Sequence, residues 1–176
     1  DRFTNDKIGL IVFAGDAYVQ LPITSDYVSA KMFLQNIDPS LIQTQGTDIA
    51  QAINLGLHSF TQADKIGRAI IVITDGEDHE GGALEAAKTA KAKGYNVFIL
   101  GVGTAKGAPI PTGDGSYLKD NTGQTVITAL NEDMCKEIAA AGSGTYIPVD
   151  NTNEAQKILN NELTKMQKGE LTSVIY

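Results

Sequence analysis

The sequence predicts an α/β domain: a mostly parallel β-sheet in three layers, helices on both faces, with one antiparallel strand at an edge. Three observations carry this expectation. Residues 69–73 (AIIVI) and 95–102 (YNVFILGV) are continuous apolar runs without the alternation of a half-buried strand, so they read as strands covered on both faces. From residue 45 onward such runs alternate with amphipathic helical stretches and lie too far apart to be hairpins, the pattern of βαβ units. The opening of the chain instead holds two β-prone runs joined by a tight Gly15-Asp16 turn, the pattern of an antiparallel hairpin.

Each element follows in order. Residues 8–14 (IGLIVFA) and 17–23 (AYVQLPI) form the hairpin, and Pro22, which lacks an N–H for the ladder, confines the second strand to an edge. Thr24-Ser25-Asp26 offers capping oxygens for a helix near 26–36, expected to turn Val28, Met32 and Phe33 toward the core and to stop at Pro39. Gly46-Thr47-Asp48 opens a second helix, about 48–60, on which Ile49, Ile53, Leu57 and Phe60 make one apolar stripe. The buried strand at 69–73 ends in a polar, glycine-rich loop from Thr74 to Gly82. That loop leads into a helix reaching about Lys93, with Gly94 as its stop. After the strand at 95–102, helical periodicity disappears between Gly103 and about Thr128. There Pro109, Pro111, Asp114-Gly115 and Thr122-Gly123 predict a small hairpin excursion on the surface. A helix at about 131–141 ends at Gly142-Ser143-Gly144, and residues 145–149 (TYIPV) form a strand that Pro148 places at an edge. A last helix spans about 153–168, and the tail at 171–176 (LTSVIY) is apolar and β-prone.

Composition bounds the function. With 176 residues, 42% hydrophobic and 20% charged, residues 1–176 make one ordinary domain that needs no disulfide or structural metal to form a core. A net charge of −7 repels nucleic-acid phosphates and anionic lipid headgroups, and suits a cation or a basic partner. The single cysteine, Cys135, excludes an internal disulfide and any multi-cysteine zinc or iron–sulfur site. No apolar run approaches the ~18 residues that span a bilayer. The first residue is Asp1 rather than Met, so the chain is expected to be a processed or excised part of a longer protein.

Chemistry is expected where parallel strands end, because ligands of open α/β sheets bind at the carboxyl edge. Asp75 follows AIIVIT directly, and Thr47 and Asp48 sit in the loop before a helix. A hydroxyl and a carboxylate, with no cysteine or histidine needed, describe a hard-cation site, Mg²⁺ before Ca²⁺. Each residue also has a plain structural reading. Thr47 and Asp48 are good helix caps, and Asp75-Gly76 is a good Asx turn. Glu77, Asp78 and Glu80 read as a solvated acidic rim, His79 and His58 as ordinary surface residues, and Cys135, beside Met134 and Ile138, as a buried inert thiol. Neither a dinucleotide loop nor a phosphate loop is present: GVGTAKG lacks the G-x-G-x-x-G spacing and leads to Pro109 rather than a helix.

Taken together, DKIGLIVFAGDAYVQLPIT, GTDIAQAI, AIIVITDGEDHEGG and YNVFILGVGT resemble the von Willebrand factor type A (VWA) domain, in matching order over almost the whole chain. The excursion GVGTAKGAPIP…DGSYLKDNTGQTVIT, with the EIAAAGSGTYIPV segment after it, resembles the bacterial aerotolerance (Bat) proteins in particular. The resemblance implies a Rossmann-like sheet with a metal-ion-dependent adhesion site at its carboxyl edge. Thr47 matches the family's threonine ligand and Asp75 its third-loop aspartate. The family's remaining ligands come from a D-x-S-x-S loop after its first strand, and no such string occurs among these 176 residues. The chain therefore resembles a VWA domain lacking the family's first strand and first helix. The adhesion site is expected to be complete in the parent protein, and Mg²⁺ (or Mn²⁺ or Ca²⁺) absent or weakly bound here.

That first strand is central in the family's sheet. Its loss implies that the flanking strand re-pairs with AIIVIT, or that another chain's segment fills the space, with LTSVIY the candidate donor and a strand-exchanged oligomer the result. An open gap is not expected, since unpaired edges leave backbone groups without partners. The implied function is a non-enzymatic, metal-dependent protein-interaction domain of a membrane-anchored bacterial protein, the domain periplasmic, the partner reaching the metal through an acidic side chain. The alternative is a Mg²⁺-dependent hydrolase of a doubly wound fold using Asp75.

Overall fold

A computed structural model of the chain describes residues 6–38, 44, 46–61, 67–78 and 81–169. Strands β1 (Ile8–Phe13) and β2 (Ala17–Thr24) are followed by helices α1 (Tyr27–Gln35) and α2 (Ile49–Ser59). Strand β3 (Ala69–Thr74), helix α3 (Ala83–Ala92) and strand β4 (Asn96–Gly101) come next. Two short strands, β5 (Ala108–Pro109) and β6 (Ile127–Thr128), bracket an arm, and α4 (Glu132–Ala141), β7 (Tyr146–Pro148) and α5 (Thr152–Gly169) complete the order. Among the described residues, no helix is long and apolar enough to cross a membrane.

The sheet is parallel in the order β3-β4-β7, with Ile70 opposite Val97, Val72 opposite Ile99 and Leu100 opposite Ile147. Strand alternation therefore puts Ile70, Val72, Val97 and Ile99 on one face, and Ile71, Ile73, Phe98, Leu100 and Ile147 on the other. The first face carries the main core. Ile49, Ile53 and Leu57 from α2, four alanines of α3, and Cys135, Ile138 and Ala139 from α4 are buried together with Val72, Val97 and Ile99. Alanine at positions 83, 86, 87 and 90 lets α3 lie close, and Gly56 admits Ile70, whose Cδ1 would stand 3.2 Å from a Cβ there. The α2 stripe holds as expected, with Phe60 packed at its end against Tyr95, ring centroids 5.1 Å apart.

Three sequence expectations need correction. The first concerns AIIVIT. Its run does form a strand, but the strand is covered on one face only: Ile71 is 39% and Ile73 61% exposed. The second is the gap. β1 pairs with β2 alone, antiparallel, and β3 pairs with β4 alone, so the flanking strand does not re-pair with AIIVIT. The hairpin is fastened elsewhere: it packs on α2, and the Asp48 N–H donates to the Ala14 carbonyl at 2.8 Å. Among the described residues nothing fills the outer edge of β3. Backbone groups on an edge that water reaches do not carry the penalty of buried unpaired ones, which the expectation left out of account. The proposed donor, 171–176, lies outside the described residues, as do Pro39, His79 and Glu80.

The third correction is α1. Asp26 caps it as expected, its Oδ1 accepting from the Val28 and Ser29 amides at 3.1 and 3.0 Å. Yet no α1 residue is buried, and Val28 and Met32 are 81% and 54% exposed. Among the described elements α1 packs chiefly on the hairpin, and the side that carries Val28 and Met32 is left exposed.

Candidate metal centre

Three loops are gathered around the start of α2. The first is the hairpin turn at Ala14–Asp16. The second is the entry to α2, held against that turn by the Asp48–Ala14 bond and by the Gly15 N–H donating to the Thr44 carbonyl at 3.2 Å. The third opens at Asp75 after β3, and Gly82, just before α3, lies against the first turn of α2, where a Cβ on Gly82 would stand 3.5 Å from that of Ala50. The end of the loop that Asp75 opens is thus a neighbour of the α2 entry that Thr47 precedes, although the whole of α2 and β3 lies between them in the chain.

Asp48 and Thr47 divide the work at the α2 entry. Asp48 is the N-cap, its Oδ1 accepting from the Gln51 N–H at 2.7 Å. The capping role that the sequence left open between the two residues falls to Asp48, and Thr47 lies half-buried one residue before it. Asp75 stands exposed at the first position after β3. Its Oδ1 lies 3.4 Å from the Glu77 amide, a long Asx-turn contact. Behind it, buried Thr74 accepts the Gly76 N–H on its hydroxyl at 3.1 Å, while its carbonyl takes the Val102 N–H at 2.8 Å. These bonds anchor the loop to the ends of β3 and β4.

The acidic residues after Asp75 are not a fully solvated rim. Glu77 and Asp78 are half-buried. The Thr128 hydroxyl donates to Glu77 Oε1 at 2.9 Å, and Asp78 Oδ1 is buried with no hydrogen-bond partner among the described residues. Sequence reading missed Thr128 altogether, because it lies 51 residues from Glu77 in an ordinary β-prone run. His58 is exposed on α2 with Nδ1 2.6 Å from the Asn54 carbonyl oxygen, a local contact. Cys135 is fully buried, and burial first, then the charges of Asp75 and Glu132, push its thiol up to about 11. It is a protonated core residue and no ligand for a hard cation.

Thr47 and Asp75 fit a magnesium-type ion in kind, since both offer hard oxygens. They fall short in number. Among the described residues, no group of three or more His, Cys, Asp or Glu side chains is placed to hold a metal.

Residues 2–161 match the model of the von Willebrand factor type A domain. Two solved structures are similar over 94% of this chain and 82% of their own. One is the conserved protein BatB of Bacteroides thetaiotaomicron, 60% identical with a TM-score of 0.90. The other is an aerotolerance-related membrane protein of Bacteroides fragilis carrying multiple mutations to serine, 58% identical with a TM-score of 0.89. Proximal thread matrix protein 1 of the mussel byssus, solved with a zinc-occupied MIDAS motif, shares the fold at 14% identity and a TM-score of 0.61, over 89% of this chain and 34% of that one. The chain spans 29% and 25% of two curated relatives, from Borreliella burgdorferi and Escherichia coli K12, which it matches at 31% and 26% identity over 56% and 92% of its own length. The chain belongs to the von Willebrand factor type A family and, within it, is similar to the BatB aerotolerance-related proteins.

Proposed function

We propose that this domain binds a protein partner through a divalent cation to which Thr47 and Asp75 contribute. A VWA domain of the Bat-like kind supports a protein-interaction role. The observation that carries the finer reading is the approach of Gly82, at the end of the loop that Asp75 opens, to Ala50 in the first turn of the helix that Thr47 precedes. In this reading the remaining ligands come from a D-x-S-x-S loop outside these 176 residues, and the single domain at 1–176 is one part of the complete VWA unit. When bound, the ion would supply an open coordination position for an acidic side chain of the partner. Asp75 would offer a carboxylate on an exposed loop, and Thr47 a hydroxyl held in place by the capped start of α2. The zinc-occupied motif of the mussel protein supports a divalent ion in this fold. The parent in this reading is anchored in a bacterial inner membrane with this domain on the periplasmic side; the aerotolerance-related membrane protein of B. fragilis supports the membrane part of it.

The test is a Mn²⁺ titration of the full-length protein by calorimetry, against Thr47→Ala and Asp75→Ala. One bound ion per chain, weakened at least tenfold by either substitution, supports the reading. Equal binding by wild type and both variants removes these residues from the site.

A further inference from the structure

The loop that carries Asp75 is fastened to the base of the arm between β4 and α4. Gly76 is buried at φ +80°, and a Cβ there would fall 2.7 Å from the Asn131 amide nitrogen and 3.0 Å from Leu130 Cδ1. One residue on, Glu77 receives the Thr128 hydroxyl. Leu130 is itself buried, and its N–H donates to the Thr104 carbonyl at 3.1 Å, so the two roots of the arm are closed against each other. Beyond its roots the arm is braced internally. The N–H of Ile110 donates to Val126, that of Val126 to Leu118, and that of Leu118 to Ile110, a closed ring of three backbone bonds at 3.4, 2.8 and 2.8 Å. Asp114 and Asp120 hold the outer turns by accepting the Ser116 and Gln124 amides, each at 3.0 Å.

We propose that the arm is a strap that aims the Asp75 loop, with Thr128 as a positioning residue. Its hydroxyl fixes Glu77, and the seat of Gly76 against Asn131 then sets the direction in which the loop presents Asp75. The proposal rests on the cation-site reading above. Magnesium-type ions demand near-ideal octahedral geometry, so a carboxylate on a loose loop binds them poorly. Groups outside the ligand set that orient it commonly tune affinity for this reason. The strap also couples two surfaces: whatever grips the arm pulls on the loop that holds the ligand.

The experiment compares Thr128→Val, which keeps the shape and loses the hydroxyl, with Thr128→Ser, which keeps the hydroxyl. Both are made in the full-length protein, with Mn²⁺ as the probe and amide hydrogen exchange at Gly76 and Glu77 as a metal-free readout. The valine variant is expected to weaken Mn²⁺ binding about tenfold and the serine variant less than about twofold. Exchange at the two amides should quicken in the valine variant alone, with β4 and α2 unchanged. If wild type binds Mn²⁺ and the valine variant binds it equally well, the strap is overturned. If wild type shows no Asp75-dependent binding, the cation reading fails, and the exchange rates alone decide whether the strap exists.

Discussion

Strands β3 and β4 lie side by side, parallel and in register, and are built from similar apolar residues, yet they live in different environments. β4 has a hydrogen-bonded neighbour on each side, and Phe98 is 1% exposed. Among the described residues β3 has a neighbour on one side only, and Ile71, paired with Phe98 in the ladder, is 39% exposed. An apolar run records that a strand is suited to burial on both faces. What covers those faces is decided by other parts of the chain. The open face and edge of β3 fall where the VWA resemblance puts the family's first strand and helix, and the exposed apolar side of α1 fits the same account.

Substitutions sharpen this contrast. Phe98→Ala should cost about 3–5 kcal/mol in urea unfolding of the 176-residue chain, as for other fully buried aromatics, whereas Ile73→Ala should stay within about 1 kcal/mol. Similar costs at both positions would break the comparison, because they would mean that Ile73 is buried in solution. Gly76→Ala tests whether the loop after β3 is tightly held although the strand before it is half-open. A positive φ and a 2.7 Å overlap with backbone predict a loss of about 1–3 kcal/mol. Asp48→Ala removes the cap of the helix on which the hairpin packs, and should cost about 1 kcal/mol by the same measurement.

A pH dependence is expected at Cys135. Its thiol is pushed up to about 11 in the fold, from 9.0 in the ordinary case. The folded state therefore holds the proton more tightly than the unfolded chain does. Its contribution to stability is complete below pH 9 and is lost as pH rises toward 11. Unfolding measured across that range should fall less steeply for Cys135→Ala than for wild type, because the thiol no longer contributes to the slope.

Much of the fold was legible because its signals are local. The α2 stripe, the capping aspartates at 26 and 48, the Gly15-Asp16 turn and the turn residues of the arm all act within a few positions of themselves. The exposure of Val28, Met32 and Ile73 was not legible, since an apolar run or amphipathic spacing reveals an apolar face without revealing its cover. The candidate site divides in the same way. Asp75 could be found from its place at a strand end and from its family motif, and Thr47 from the loop before α2. The bond from Thr128 to Glu77 has no local signature, because only the return of the arm brings its two partners together.

The central claim is that Thr47 and Asp75 belong to a cation site completed from outside these residues. Its most direct test is thermal melting with and without Mg²⁺, for this chain and for one extended N-terminally through the parent's D-x-S-x-S loop. At about 100 times its dissociation constant the ion should stabilise the extended chain by about 2.7 kcal/mol. The account predicts that shift in the extended chain, little or none in the 176-residue chain, and its loss on Asp75→Ala. An extended chain that melts at the same temperature with and without the ion, or a shift that survives Asp75→Ala, would contradict it.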